Sequence, residues 1–125
     1  VILGIGFDLV ENHRIAQAME RFGERFVRRV LLPAEWEYCR TLKNPETHVA
    51  ARFAAKEATS KALGVGIGTQ LGWQDVEVVR SAAGSPSIAL HGQGYDLFCQ
   101  REARRIHVSL THTEGHSAAV VILED

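Results

Sequence analysis

Arg52-Phe53-Ala54-Ala55-Lys56-Glu57-Ala58-Thr59-Ser60-Lys61-Ala62-Leu63-Gly64 is the stretch on which the reading of this chain turns. Rich in alanine and free of internal glycine or proline, it reads as a helix. Glu57 and Lys61 are four residues apart and share one face of it. Gly64 is placed to cap it, and a Gly64-Val65-Gly66-Ile67-Gly68 loop follows at once. Far upstream, Gly4-Ile5-Gly6-Phe7-Asp8 sets a second carboxylate at the end of an apolar strand. Two carboxylates, a lysine and a glycine loop are the parts needed to hold a metal ion and a phosphate chain.

Working outward, residues 2–9 read as a strand and 12–30 as an amphipathic helix. Ile15, Met19, Phe22, Phe26 and Val30 form the helix's apolar stripe. Pro33 opens a further helix over 33–42, and Asn44-Pro45 breaks the chain before the long helix, 46–63. After the loop, Trp73–Arg80 alternates as a half-buried strand should, Ala83-Gly84-Ser85-Pro86 is turn chemistry, and Ser87–His91 is a short strand. Residues 93–104 read as a helix, and 106–113 with 116–123 as a hairpin around Glu114-Gly115. Strands and helices do not strictly alternate, so the expected class is α+β, in a single domain over 1–125.

Composition narrows the function classes. A formal net charge of -1 supplies no overall field toward nucleic acid or membrane, and no apolar run is long enough for a membrane span. The first residues lack the basic lead of a signal peptide. Cys39 and Cys99 stand alone, which argues against zinc-ribbon and thioredoxin motifs and suits reduced thiols in the cytoplasm.

Each local pattern has two readings. Asp8 serves as a turn residue or, with Glu57, as a hard oxygen ligand for Mg²⁺. The glycines of its strand mark a bulge or a close approach by a ligand or another backbone. Glu57 and Lys61 form either that site or a solvated ion pair worth roughly 0.3–0.5 kcal/mol. The glycine loop lacks both the dinucleotide and the Walker spacing, and is a flexible connection or a phosphate cradle. Arg14, Arg21, Arg25, Arg28 and Arg29 outnumber Glu20 and Glu24 in residues 13–29, an excess of three positive charges. They make a solvated face or a docking surface for an acidic partner. His107, Ser109, Thr111 and Thr113 share one strand face, open to a ligand or to water. His112 and His116 flank the hairpin turn without the third ligand that a zinc site needs.

Taken together, Gly4-Ile5-Gly6-Phe7-Asp8-Leu9-Val10, the stretch Arg52–Ala62 and His107-Val108-Ser109-Leu110-Thr111-His112-Thr113 resemble the motifs of a known family. The chain resembles the short bacterial 4′-phosphopantetheinyl transferases, the holo-[acyl carrier protein] synthases, essentially from end to end. The resemblance implies that family's fold, with an antiparallel sheet packed against the long helix. It implies transfer of 4′-phosphopantetheine from coenzyme A to a serine of apo acyl carrier protein, releasing adenosine 3′,5′-bisphosphate. Asp8 and Glu57 would hold Mg²⁺, and Lys61 would bind the pyrophosphate. Arg52, Lys56, Ser60, Gly64, Gly66, Gly68, Pro86, His107, Ser109 and Thr111 would form the coenzyme A set. Arg14, Arg21, Arg25 and Arg28 would face the carrier protein. The base that takes the serine proton stays open between Glu57, a water on the metal, and Glu35 acting through water. The family's short members are typically trimers with sites between subunits. A Mg²⁺-dependent pyrophosphate hydrolase uses the same parts with water as the nucleophile, but the repeated glutamates of a Nudix box are missing. A nucleic-acid or protein-binding module built on the arginines would lack both a basic pI and the aromatic RNA-binding motif.

Overall fold

Alanine side chains add little beyond the backbone, so an alanine-rich helix can lie unusually close to a sheet. The fold is built on that approach. The computed structural model describes residues 1–125, in the order β1 (Ile2–Glu11), α1 (Asn12–Phe22), α2 (Glu24–Val30), α3 (Pro33–Cys39), α4 (Pro45–Ala62), β2 (Val76–Arg80), β3 (Pro86–Leu90), α5 (Gly92–Gln100), β4 (Arg105–His112) and β5 (His116–Glu124). Eleven of the eighteen residues of α4 are buried, which makes it the central element rather than a surface helix.

β1, β5 and β4 form an antiparallel sheet in that order, and β2 and β3 pair as a separate antiparallel hairpin. The class is α+β with an antiparallel sheet on a long helix, as the sequence implies. Val121 and Leu123 of β5 pack inward with Val49, Ala54 and Ala58 of α4 to make the core. The two strand glycines have a definite task. A Cβ at Gly4 would lie 2.0 Å from the Ala62 carbonyl oxygen, and one at Gly6 would lie 1.7 Å from that of Ala58. Of the readings open for them, the neighbour is another backbone, that of α4.

Several boundaries differ from expectation. The helix expected over 12–30 is broken at Gly23, whose φ of 60° suits glycine and whose N–H bonds the Met19 carbonyl at 2.8 Å. The strand expected from Trp73 begins at Val76. Trp73–Asp75 is instead a 3-10 turn, closed by Gly72 N–H donating to Asp75 Oδ2 at 2.8 Å. α5 stops at Gln100, short of residue 104, and Glu102 follows with φ of 57°. The hairpin turn at Glu114-Gly115 is tied back to the start of α1. Buried Asn12 donates to the Thr113 and Glu114 carbonyls at 3.1 and 3.2 Å, and accepts from Ser117 Oγ at 2.7 Å.

Candidate active site

Asp8, on the helix-facing side of β1, lies beside the C-terminal half of α4. Lys61 Nζ donates to Asp8 Oδ1 at 3.1 Å and to the Phe7 carbonyl at 3.0 Å. Glu57, one turn back along α4, lines the same cleft as Asp8, together with Arg14, Phe26 and Phe53. The cleft is open, with a volume of about 470 Å³. Burial pushes the Glu57 carboxyl above its usual range, the Asp8 charge pushes it further, and Lys61 partly offsets both. Asp8, Glu57 and Lys61 are thus neighbours in the structure. The sequence reading misses Arg14 as a member of this cleft, having assigned it only to docking.

Two neighbouring carboxylates whose repulsion raises a pKa are a donor set that a hard cation relieves. Mg²⁺ takes one or two protein carboxylates and completes its shell with phosphates and water. No group of three or more His, Cys, Asp or Glu side chains comes together as a metal cage. The residues present thus fit Mg²⁺ shared with a phosphate ligand.

The remaining expected residues divide into three sets. Gly64, Gly66 and Gly68 are exposed, and they continue directly from the Lys61 end of α4. Gly64 has φ of 79°, and its N–H bonds the Lys61 carbonyl at 3.0 Å, so it caps the helix as expected. Ser60 is buried and its hydroxyl donates to the Glu57 carbonyl at 2.7 Å.

Lys56 is the clear correction. Expected among the coenzyme A residues, it is fully buried in this chain. Its Nζ spends all three donors inside the protein: on Val30 O at 2.6 Å, Glu35 Oε1 at 2.7 Å and Trp73 O at 3.1 Å. Burial lowers the Lys56 pKa, and the Glu35 carboxylate opposes that shift. Glu35 in turn accepts from the Leu32 N–H at 2.8 Å and the Val78 N–H at 2.9 Å, and is itself buried. The bonds of the Glu35 carboxylate are thus all made inside the protein, although the residue also borders a small cavity with Tyr38, Arg52 and Arg80.

The third set lies away from the cleft. His107, Ser109 and Thr111 are exposed on the outer face of β4, across β5 from Ile5, Phe7 and Leu9. Asp8 points to the opposite face of the same sheet, so one chain does not bring them together. His107 Nε2 is 2.7 Å from Glu124 Oε1. Arg52 is buried, its guanidinium 5.2 Å from the centroid of the Tyr38 ring, with Arg80 also over that ring at 5.6 Å. These residues line a cavity of about 220 Å³ that Glu77 and Val78 share. Arg52 Nε is buried with no partner, an orphaned donor beside that cavity. Pro86 opens β3 opposite Arg80. The docking arginines are all exposed, but Arg14 and Arg21 sit on α1 while Arg25 and Arg28 sit on α2, so they do not form one helical stripe. Arg28 pairs with Glu24 at 3.0 Å.

Comparison with known proteins gives a consistent family. The model of the 4′-phosphopantetheinyl transferase superfamily matches residues 4–121. A holo-[acyl-carrier-protein] synthase of Koribacter versatilis is 46% identical over 125 residues, covering 100% of both chains. The crystal structure of the Neisseria meningitidis holo-[acyl-carrier-protein] synthase aligns with a TM-score of 0.92 at 30% identity, covering 100% of each chain. That of the Helicobacter pylori enzyme, in complex with coenzyme A, aligns with a TM-score of 0.86 at 34% identity, covering 96% of this chain and 99% of the other.

Proposed function

The chain belongs to the 4′-phosphopantetheinyl transferase superfamily, and from that premise we propose that it is a holo-[acyl carrier protein] synthase. It transfers 4′-phosphopantetheine from coenzyme A to a serine hydroxyl of apo acyl carrier protein. The serine oxygen forms a bond to the phosphorus that carries the pantetheine arm. The bond from that phosphorus to the bridging oxygen breaks, and adenosine 3′,5′-bisphosphate leaves. The observation that carries this reading is the open cleft that Asp8 and Glu57 line together, with Lys61 donating to Asp8.

In this reading Asp8 and Glu57 hold Mg²⁺, which would neutralise charge building on the pyrophosphate. Lys61 turns from Asp8 toward the phosphates, its exposed ammonium being free to swing. The glycine loop 64–68 offers backbone N–H groups beside them. Glu57 lines the cleft beside Asp8 and is a candidate acceptor for the serine proton; burial and the Asp8 charge raise its proton affinity in the metal-free protein. Arg52, with its orphaned Nε, suits a phosphate or adenine of coenzyme A. Pro86, His107, Ser109 and Thr111 complete that binding surface. Arg14, Arg21, Arg25 and Arg28 receive the acidic carrier protein. The enzyme works as a homotrimer, in which the outer face of β1 packs on a neighbouring copy. Ile5, Phe7 and Leu9 are 60%, 58% and 60% exposed there, too much apolar surface in one stripe for a lone chain. A cytoplasmic setting belongs to the same reading and suits two free thiols. No helix is long and apolar enough to cross a membrane.

The test is a mass spectrum of apo carrier protein incubated with the enzyme, coenzyme A and Mg²⁺. The carrier gains one phosphopantetheine, and omission of Mg²⁺ abolishes the gain. Release of adenosine bisphosphate from coenzyme A without carrier protein would instead mark a hydrolase.

A further inference from the structure

Only two polar ties join β1 to α4, and one of them has to loosen when substrate arrives. That one is Lys61, which holds the Phe7 carbonyl and Asp8 and is assigned to the pyrophosphate. The other is Arg101, one residue past the end of α5. Its guanidinium donates through one nitrogen to the Leu63 carbonyl at 2.9 Å and the Ala62 carbonyl at 3.5 Å. Through the other it donates to the Leu3 carbonyl.

This fork joins three parts of the site. Ala62 and Leu63 belong to the last turn of α4, whose carbonyls have no helical partner, and a cation is favoured there by the helix dipole. Leu3 belongs to the strand that carries Asp8. Gly64 opens the glycine loop, and a Cβ there would lie 3.2 Å from the Arg101 nitrogen. The left-handed glycine thus keeps the approach to the carbonyls open. Otherwise β1 and α4 meet by apolar packing, in which the close approach of Gly4 and Gly6 fixes how near the two backbones come without adding a directional bond.

We propose that Arg101 is a positioning residue for the transfer reaction: it fixes the register of the Asp8 strand against the Glu57 helix, and does so when Lys61 has turned to the phosphates. The inference rests on the assignment of Asp8 and Glu57 as the metal pair. Arginine suits the role because its planar fork reaches two elements at once, which a lysine ammonium does with poorer geometry.

The experiment compares Arg101→Met, Arg101→Lys and Asp8→Asn with the parent enzyme. Each is measured for Mg²⁺ dependence of transfer, for KM of carrier protein, and for binding of Mn²⁺ as a paramagnetic probe without coenzyme A. Arg101→Met should raise the Mg²⁺ requirement and weaken Mn²⁺ binding roughly tenfold or more, the usual effect of removing a group that orients metal ligands. Its KM for carrier protein should not move. Methylguanidinium added to the solution should recover part of the loss, and Arg101→Lys should fall between the two. A folded Arg101→Met with parental Mg²⁺ and Mn²⁺ behaviour and only a lower Tm overturns the inference. If Arg101→Met does not fold, the same two readouts on Arg101→Lys decide, and parental values there overturn it. Parental Mn²⁺ binding by Asp8→Asn would sink the metal-pair assignment itself. Loss in Asp8→Asn without loss in the Arg101 variants would sink the inference alone.

Discussion

Glu57 is pressed toward its protonated form by two causes, burial first and the Asp8 charge second, with Lys61 opposing. A carboxyl whose folded pKa is raised costs stability once it ionises, above that pKa, and the cost vanishes as pH falls through it. A cation between the two carboxylates reverses the balance, so Mg²⁺ competes with the proton. In a carboxyl-carbon NMR titration of the Mg²⁺-free protein, Glu57 should titrate above 4.5, its ordinary value. Asp8→Asn should move that midpoint down and Lys61→Met should move it up. A midpoint that ignores both substitutions would mean that the three groups do not share a site. In transfer assays Asp8→Asn and Glu57→Gln should each keep the fold and lose most activity. Near-parental activity at low Mg²⁺ in either variant would remove it from the ligand set. At the same scale the buried Lys56–Glu35 pair makes a separate prediction. Lys56→Met leaves a buried carboxylate uncompensated and should cost about 3–5 kcal/mol in urea unfolding. Lys56→Met combined with Glu35→Leu should recover most of that loss. No recovery would show that the backbone bonds from Leu32 and Val78, rather than the charge pair, carry the stability.

At the scale of elements, what was legible followed from local chemistry. The 52–64 stretch announces α4 through its alanines and its terminal glycine, and the glycines of β1 leave a bulge or a close approach open; the structure has a register shift between Ile2 and Gly4 as well as the close approach. The partner in that approach was not legible, because it is a helix fifty residues further along the chain. Gly6→Ala tests it: the new Cβ would fall 1.7 Å from the Ala58 carbonyl, so the strand must lift. Overpacking of this kind costs about 1–3 kcal/mol, and transfer should fall further than stability because Asp8 moves with the strand. Unchanged Tm and activity would contradict the packing account. The break at Gly23 escaped the sequence reading because Phe22, Phe26 and Val30 keep helical spacing across it. The burial of Lys56 is not legible because its partners Val30, Glu35 and Trp73 come from three other segments, and no spacing rule gathers them. The arginines nonetheless remain exposed on α1 and α2. Arg21→Glu with Arg25→Glu should therefore raise the KM for carrier protein well above any change in that for coenzyme A. The effect should shrink with salt, since the Debye length falls to roughly 3 Å at 1 M. Equal shifts in both constants would place docking elsewhere.

At the scale of the whole molecule, the chain carries two sets of proposed site residues that it does not bring together. Asp8, Glu57 and Lys61 gather on the helix side of the sheet, while His107, Ser109 and Thr111 stand on its outer side beside the exposed stripe of Ile5, Phe7 and Leu9. Packing that stripe against another copy would bury it and would also set one chain's β4 face near another chain's cleft. The central claim, a transferase whose site is completed by a neighbour, is tested by mixing two inactive chains. Asp8→Asn chains are unfolded and refolded together with chains altered at His107, Ser109 and Thr111. Transfer of phosphopantetheine is then read from the mass of the carrier protein. The account predicts that the co-refolded mixture modifies the carrier faster than either parent, because some sites receive both intact halves. A mixture no more active than its parents, or a sedimentation mass of a single chain for an active enzyme, would contradict it.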